Sequence, residues 1–243
     1  MLAKKLAQAR AGRDIQLIGA VTSYVQTAAS GTDDVSTTSL GLVENDFLIA
    51  VHGVTIGSDL TAATNYGIAS GWTQIADLYR SDTYSTNLYA GWLRCTSSPP
   101  TSVSFLKGGS TGHASLAAIL AFRNVNTTTG LDVTSTTVTS FNGNNADAVT
   151  ILPTTAGSKV VVVYAGAGVD SSTSLAGLKT GPANLTGIFL GGTNGAGSWT
   201  SQGYLGAGWS SWASGNFNPA AVTGTGSGGT DSWGAVTMAL RVK

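Results

Sequence analysis

The apolar residues of this chain come in short runs rich in valine, isoleucine, tyrosine and tryptophan, each closed by glycine, asparagine, aspartate, serine or proline. Runs of that length and chemistry are strands rather than helices. They predict strands over Ile15–Gln26, Phe47–Val54, Trp72–Leu78, Asn87–Arg94, Ser102–Leu106 and Ser115–Arg123. Further strands are predicted over Ala148–Leu152, Val160–Ala165, Leu185–Leu190 and Trp233–Val242. Turn signals such as Asn142-Gly143 and Ser97-Ser98-Pro99-Pro100 separate them. At 243 residues the chain is long enough for one large all-β domain.

Composition narrows the setting. Thirty-three Gly, 33 Thr and 27 Ser stand beside only 10% charged residues. Such a surface suits work outside cells, with threonine on exposed strands and glycine and serine in turns. The N-terminus does not match that setting. Lys4 and Lys5 resemble a basic leader, but Arg10, Arg13 and Asp14 interrupt where an apolar stretch would follow. A disulfide framework is excluded because Cys95 is the single cysteine. A virion component, made in a bacterial cytoplasm and released by lysis, reconciles these features. Net charge is zero, so no long-range field favours nucleic acid. No apolar run approaches the roughly 20 residues of a membrane-spanning helix.

One helix is expected, in the arm before Asp14. Leu2, Leu6 and Ala9 share a face, Lys4, Lys5 and Arg10 lie mostly elsewhere, and Gly12 would end it. Residues 1–13 are therefore read as a docking arm, with Leu2, Lys4, Lys5, Leu6, Arg10 and Arg13 as its contact candidates. Residues 14–243 are read as a single sandwich domain. An internal echo supports two sets of strands. Val43–Val51 leads to His113–Val125 as Thr155–Tyr164 leads to Ser232–Val242, and each closing strand carries an arginine, Arg123 and Arg241. Two such sets facing one another make a jelly-roll-like antiparallel β-sandwich.

Several stretches bring a family into view. They are Asn45-Asp46-Phe47-Leu48-Ile49-Ala50-Val51, Gly71-Trp72-Thr73-Gln74-Ile75 and Leu88-Tyr89-Ala90-Gly91-Trp92-Leu93. Pro100-Thr101-Ser102-Val103-Ser104-Phe105 and Ala118–Val125 continue them. Together they resemble β-sandwich modules of tailed-bacteriophage tail and other virion proteins, over roughly Leu17 to Val242. The resemblance implies a non-enzymatic structural role in a minor tail or tail-tip position. It implies other virion proteins as partners, and a homo-oligomer, with a trimer favoured. It supplies no catalytic residues and no cofactor. A capsid decoration or head fibre is the alternative placement. A secreted bacterial glycan-binding module is the rival from another class.

Motifs that mimic enzymes have simpler readings. Gly108-Gly109-Ser110-Thr111-Gly112 matches a nucleophile elbow, but that device needs an alternating α/β sheet, so it reads as a hairpin loop. Gly224–Gly229 contains a dinucleotide-like glycine pattern followed by a strand instead of a helix, and reads as a loop. His52 and His113 are not spaced as a metal pair. Asp33-Asp34 and Asn144-Asn145-Ala146-Asp147 offer hard oxygens without a calcium-loop spacing. Cys95 reads as a small buried apolar residue. The aromatic group Trp199, Tyr204, Trp209, Trp212 and Phe217 stands out against its Gly- and Ser-rich surroundings. Core filling, a subunit interface and a glycan contact all remain open for it.

Overall fold

The computed structural model describes residues 14–25, 31–55, 68, 71–80, 85–106, 115–140, 146–167, 179–180, 183–191, 203–224 and 232–243. The docking arm, Trp199, the Gly108–Gly112 motif, His113, Asn144 and Asn145 lie outside these residues, as does the glycine run after Gly224.

The first half of the chain forms β1 (Gln16–Val25), β2 (Thr32–Ser36), β3 (Phe47–Thr55), β4 (Thr73–Arg80), β5 (Thr86–Arg94), β6 (Ser102–Leu106) and β7 (Ser115–Arg123). The second half forms β8 (Leu131–Ser140), β9 (Lys159–Ala167), β10 (Lys179–Thr180), β11 (Thr186–Gly191), β12 (Gly203–Ser211), β13 (Thr223–Gly224) and β14 (Trp233–Leu240). One five-stranded sheet has the order β1-β7-β3-β5-β4, and the other β8-β14-β9-β12-β11. Each sheet is thus built from one half of the chain. The fold is an all-β sandwich, as the short apolar runs require.

Alternation along the strands builds three buried layers. Phe47, Ile49, Val51, Leu88, Leu120, Val161, Val163, Leu205, Val236 and Met238 meet between the sheets. Fully burying a side chain of this size contributes about 1.5–3 kcal/mol. The opposite faces are covered too. The β2–β6 ribbon lays Val35, Val103 and Phe105 over Leu48, Ala50, Ile119 and Ala121. On the second sheet, Ala146, Ile151, Trp212, Phe217 and Val222 pack over Val160, Val162 and Tyr164.

The two halves repeat one plan in detail. Phe47 pairs with Arg94 and Phe122 where Lys159 pairs with Ser211 and Leu240. Thr73 lies opposite Trp92 as Thr186 lies opposite Trp209. Leu88-Tyr89-Ala90-Gly91-Trp92 on β5 therefore occupies the same positions as Leu205-Gly206-Ala207-Gly208-Trp209 on β12. Each edge pairing carries a bulge at the same point, with Ile18 extra between Leu17 and Gly19 and Asp132 extra between Leu131 and Val133. Each third strand is entered by the same turn. Asp46 N–H donates to the Val43 carbonyl and Ser158 N–H to that of Thr155, at 3.2 and 3.1 Å. Asn45 and Gly157 take the left-handed conformation there, with φ of 71° and 87°. The echo of begin strand and closing strand thus extends to every strand of the two large sheets.

The closing arginines are held by carboxylates from different places. Arg123 donates twice to Asp46, at 2.7 and 2.8 Å, while Asp46 also accepts the Val43 N–H at 2.8 Å. In the second half the turn position is Ser158, and the carboxylate comes instead from Asp132 in the bulge. Asp132 stands 4.0 Å from Arg241 and accepts from the N–H and hydroxyl groups of Thr154 and Thr155. Burial pushes its carboxyl up, but those hydrogen bonds outweigh burial and hold it below the ordinary aspartate range. Stability from Asp132 is therefore present at neutral pH and is lost as pH falls below about 4 and through the depressed folded value. Asp132→Asn is expected to cost about 2 kcal/mol at pH 7 by denaturant titration. The gap to the parent should close in acid.

The expected strand Ala148–Leu152 is reduced to a single bridge between Ile151 and Phe217. Its partner segment carries Pro219, which has no N–H to extend the ladder. Besides the two-residue β10 and β13, three longer strands were not apparent from the sequence pattern. β2 is broken by Asp33 and Asp34, β8 is mostly Thr and Ser, and β12 is rich in glycine.

Candidate functional site

Two candidate nucleophiles among the described residues, Ser115 and Cys95, are buried. His52 Nε2 and Ser115 Oγ share a hydrogen bond of 2.7 Å, a geometry that can activate a serine. Both residues have zero exposure, and the His52 ring lies 5.1 Å from Phe105 under the β2–β6 ribbon. The pair is closed off from solvent under that cover. Cys95 is also buried, and burial, reinforced by Asp46, pushes its thiol up to about 11. Native protein at pH 8 is expected to resist a chromogenic disulfide reagent and to react fully once unfolded in guanidinium. Rapid reaction of the folded protein would contradict the burial of Cys95.

The aromatic group divides among different layers. Tyr204 is fully buried in the outer layer of the second sheet, where its ring lies over Gly166. Trp209 sits on β12 facing the central layer and is partly exposed. Trp212 follows the end of β12 and packs on the opposite face, its indole N–H donating to the Gly215 carbonyl at 2.8 Å. The two tryptophans, three residues apart, thus serve opposite sides of one sheet. Phe217 joins Trp212. Asp33 accepts from Ser23 Oγ at 2.8 Å, and Asp147 is exposed. Among the described residues, no three His, Cys, Asp or Glu side chains gather in a way that would hold a metal ion.

An open concavity among the described residues lies at one end of the second sheet. Three adjacent strands supply it: Lys159 begins β9, Ser210 and Ser211 end β12, and Thr186 begins β11. Trp209 forms part of its wall, and the groove holds about 460 Å³. Asn184 fixes the rim. Its amide donates to the Asn218 carbonyl at 2.8 Å and accepts from Ala220 N–H at 2.8 Å. Lys159 Nζ reaches Ser211 Oγ at 3.4 Å. Burial lowers its ammonium below the usual lysine range, and the Asp14 carboxylate pulls it partly back. A groove of this size with hydroxyls, an amide, one ammonium and an indole suits a small polar ligand. Sequence reasoning singled out Trp209 but not Lys159, Thr186, Ser210 or Ser211, because these belong to one site only through strand pairing. A smaller concavity of about 130 Å³ lies beside Asp46, Arg123 and Lys243, where the Arg123 pair already occupies the polar groups.

No family model, curated protein or solved structure matches this chain.

Proposed function

We propose that this chain is a non-enzymatic structural protein of a tailed-bacteriophage particle. Its place is a minor tail or tail-tip position, where it docks through residues 1–13 and presents polar loops and edges to the host surface. The observation that supports the reading best is the closed interior. Both outer sheet faces are covered, and the His52–Ser115 pair and Cys95 are sealed away from solvent. Surface recognition is then left to edges and loops, and the short hydroxyl side chains there limit nonspecific adhesion. Composition points the same way, with a stable two-sheet body made without disulfides.

The test is the solution mass of the full-length protein beside a version that starts at Asp14. The reading predicts an oligomer, a trimer by preference, for the full-length chain and a folded monomer for the shortened one. Two monomers would remove residues 1–13 as a self-association device and with them the homo-oligomer.

A further inference from the structure

We infer that the groove between Lys159, Thr186, Trp209 and Ser211 is a binding site for a saccharide that carries a carboxylate. This deepens the adhesive part of the proposed function and rests on it, but it does not depend on where in a particle the protein sits.

The repeated plan supplies the argument. In the first half the position of Lys159 belongs to Phe47, which is completely buried and stacked on Trp92 with ring centroids 5.1 Å apart. The position of Ser211 belongs to Arg94, whose guanidinium lies 5.2 Å from the Phe47 ring centroid. The position of Ser210 belongs to Leu93. One end of that sheet is thereby closed by a stacked aromatic pair under a cation. The second half keeps the tryptophan, as Trp209, and the facing threonine, as Thr186. On that face it replaces the ring and the guanidinium by Lys159 and Ser211. A filled end has become an open groove with polar walls and one aromatic surface.

Each retained or altered group has a use for such a ligand. Sugar hydroxyls exchange hydrogen bonds with Thr186, Ser210 and Ser211. The indole of Trp209 offers an apolar surface to ring C–H groups. Among the described residues Lys159 makes one long contact, to Ser211, which leaves ammonium donors for a carboxylate, an interaction stronger than a neutral hydrogen bond. Burial lowers the Lys159 ammonium below the usual lysine range, and Asp14, from beyond ion-pair distance, offsets part of that. The groove volume of about 460 Å³ suits one or two sugar rings.

The probes are sodium glucuronate, glucose and acetate, each titrated into full-length protein and followed by isothermal calorimetry and by amide NMR shifts. Glucuronate is expected to bind in the millimolar range, about tenfold tighter than glucose or acetate. Lys159→Phe restores the first-half residue and fills the groove, so it should abolish binding while the protein stays folded. Lys159→Gln keeps the reach but loses the charge, and should bring glucuronate down to the level of glucose. Equal binding of all three probes, or unchanged binding by both variants, overturns the proposal. Binding by acetate alone reduces the site to a bare anion contact and overturns it as well. Absence of glucuronate binding by a full-length protein that is oligomeric removes the groove and leaves the particle reading in place. Glucuronate binding by a protein that stays monomeric does the reverse.

Discussion

Phe47→Ala is expected to lower stability by about 3–5 kcal/mol, the cost of emptying a fully buried aromatic site that cannot collapse. Phe47 has zero exposure and is stacked on Trp92, with Arg94 over its ring and Gly130 against its edge. Gly130 has no Cβ to follow the missing ring, and a methyl group there would have to lie 2.3 Å from Phe47. The loss therefore leaves a void rather than a repacked contact. Thermal unfolding should move down by roughly 10 °C for a domain of this size. Lys159→Phe is expected to be tolerated, because the open groove beside Trp209 offers space for a ring. A Phe47→Ala protein with unchanged melting would mean that the first-half stack contributes nothing.

Gly206→Ala is the second large effect, expected at about 2–3 kcal/mol from overpacking. A Cβ at Gly206 would lie 2.2 Å from the Tyr164 ring, and a Cβ at Gly166 would lie 2.4 Å from Tyr204. The two tyrosines lie flat on glycines of the neighbouring strand, Tyr164 opposite Gly206 and Tyr204 opposite Gly166. Each ring fills the space that a side chain would otherwise take. Coupling follows from that contact. Gly206→Ala combined with Tyr164→Ala should cost clearly less than the two single changes added together, by chemical denaturation of all four proteins. Strict additivity would show that ring and glycine do not share the space.

These pairs also show why parts of the fold were hidden in the sequence. Glycine inside Leu205-Gly206-Ala207-Gly208 reads locally as a loop, because glycine weakens an isolated strand. The reason for each glycine lies on another strand: the Tyr164 ring at Gly206 and the Leu185 side chain at Gly208. β8 was hidden for a different reason. Among the described residues it is an edge strand paired with β14 alone, so its Thr- and Ser-rich sequence carries little apolar signal. β3, β5, β7 and β14 were legible because they run through the middle of a sheet with both faces covered, and are apolar almost throughout. The begin-to-closing echo was legible from Arg123 and Arg241. The match of Leu88–Trp92 with Leu205–Trp209 needed strand register to be recognised. The groove was half legible: Trp209 stood out as an aromatic in polar sequence, whereas Lys159 became meaningful only against Phe47.

The central claim is that each half of the chain makes one sheet and that the two sheets face one another across a common core. The Leu88 Cβ on β5 lies 3.4 Å from where a Cβ on Gly234 of β14 would stand, close to the separation a disulfide spans. Thr86 reinforces that contact by donating to the Ser232 carbonyl at 3.0 Å. The direct measurement is the oxidation state of a Leu88→Cys, Gly234→Cys protein in a Cys95→Ala background, read by mass spectrometry before and after reduction. The account predicts one intramolecular disulfide formed in high yield on mild oxidation of the folded protein. Two free thiols in a folded monomer, or a bond only between separate chains, would contradict the face-to-face pairing of the halves.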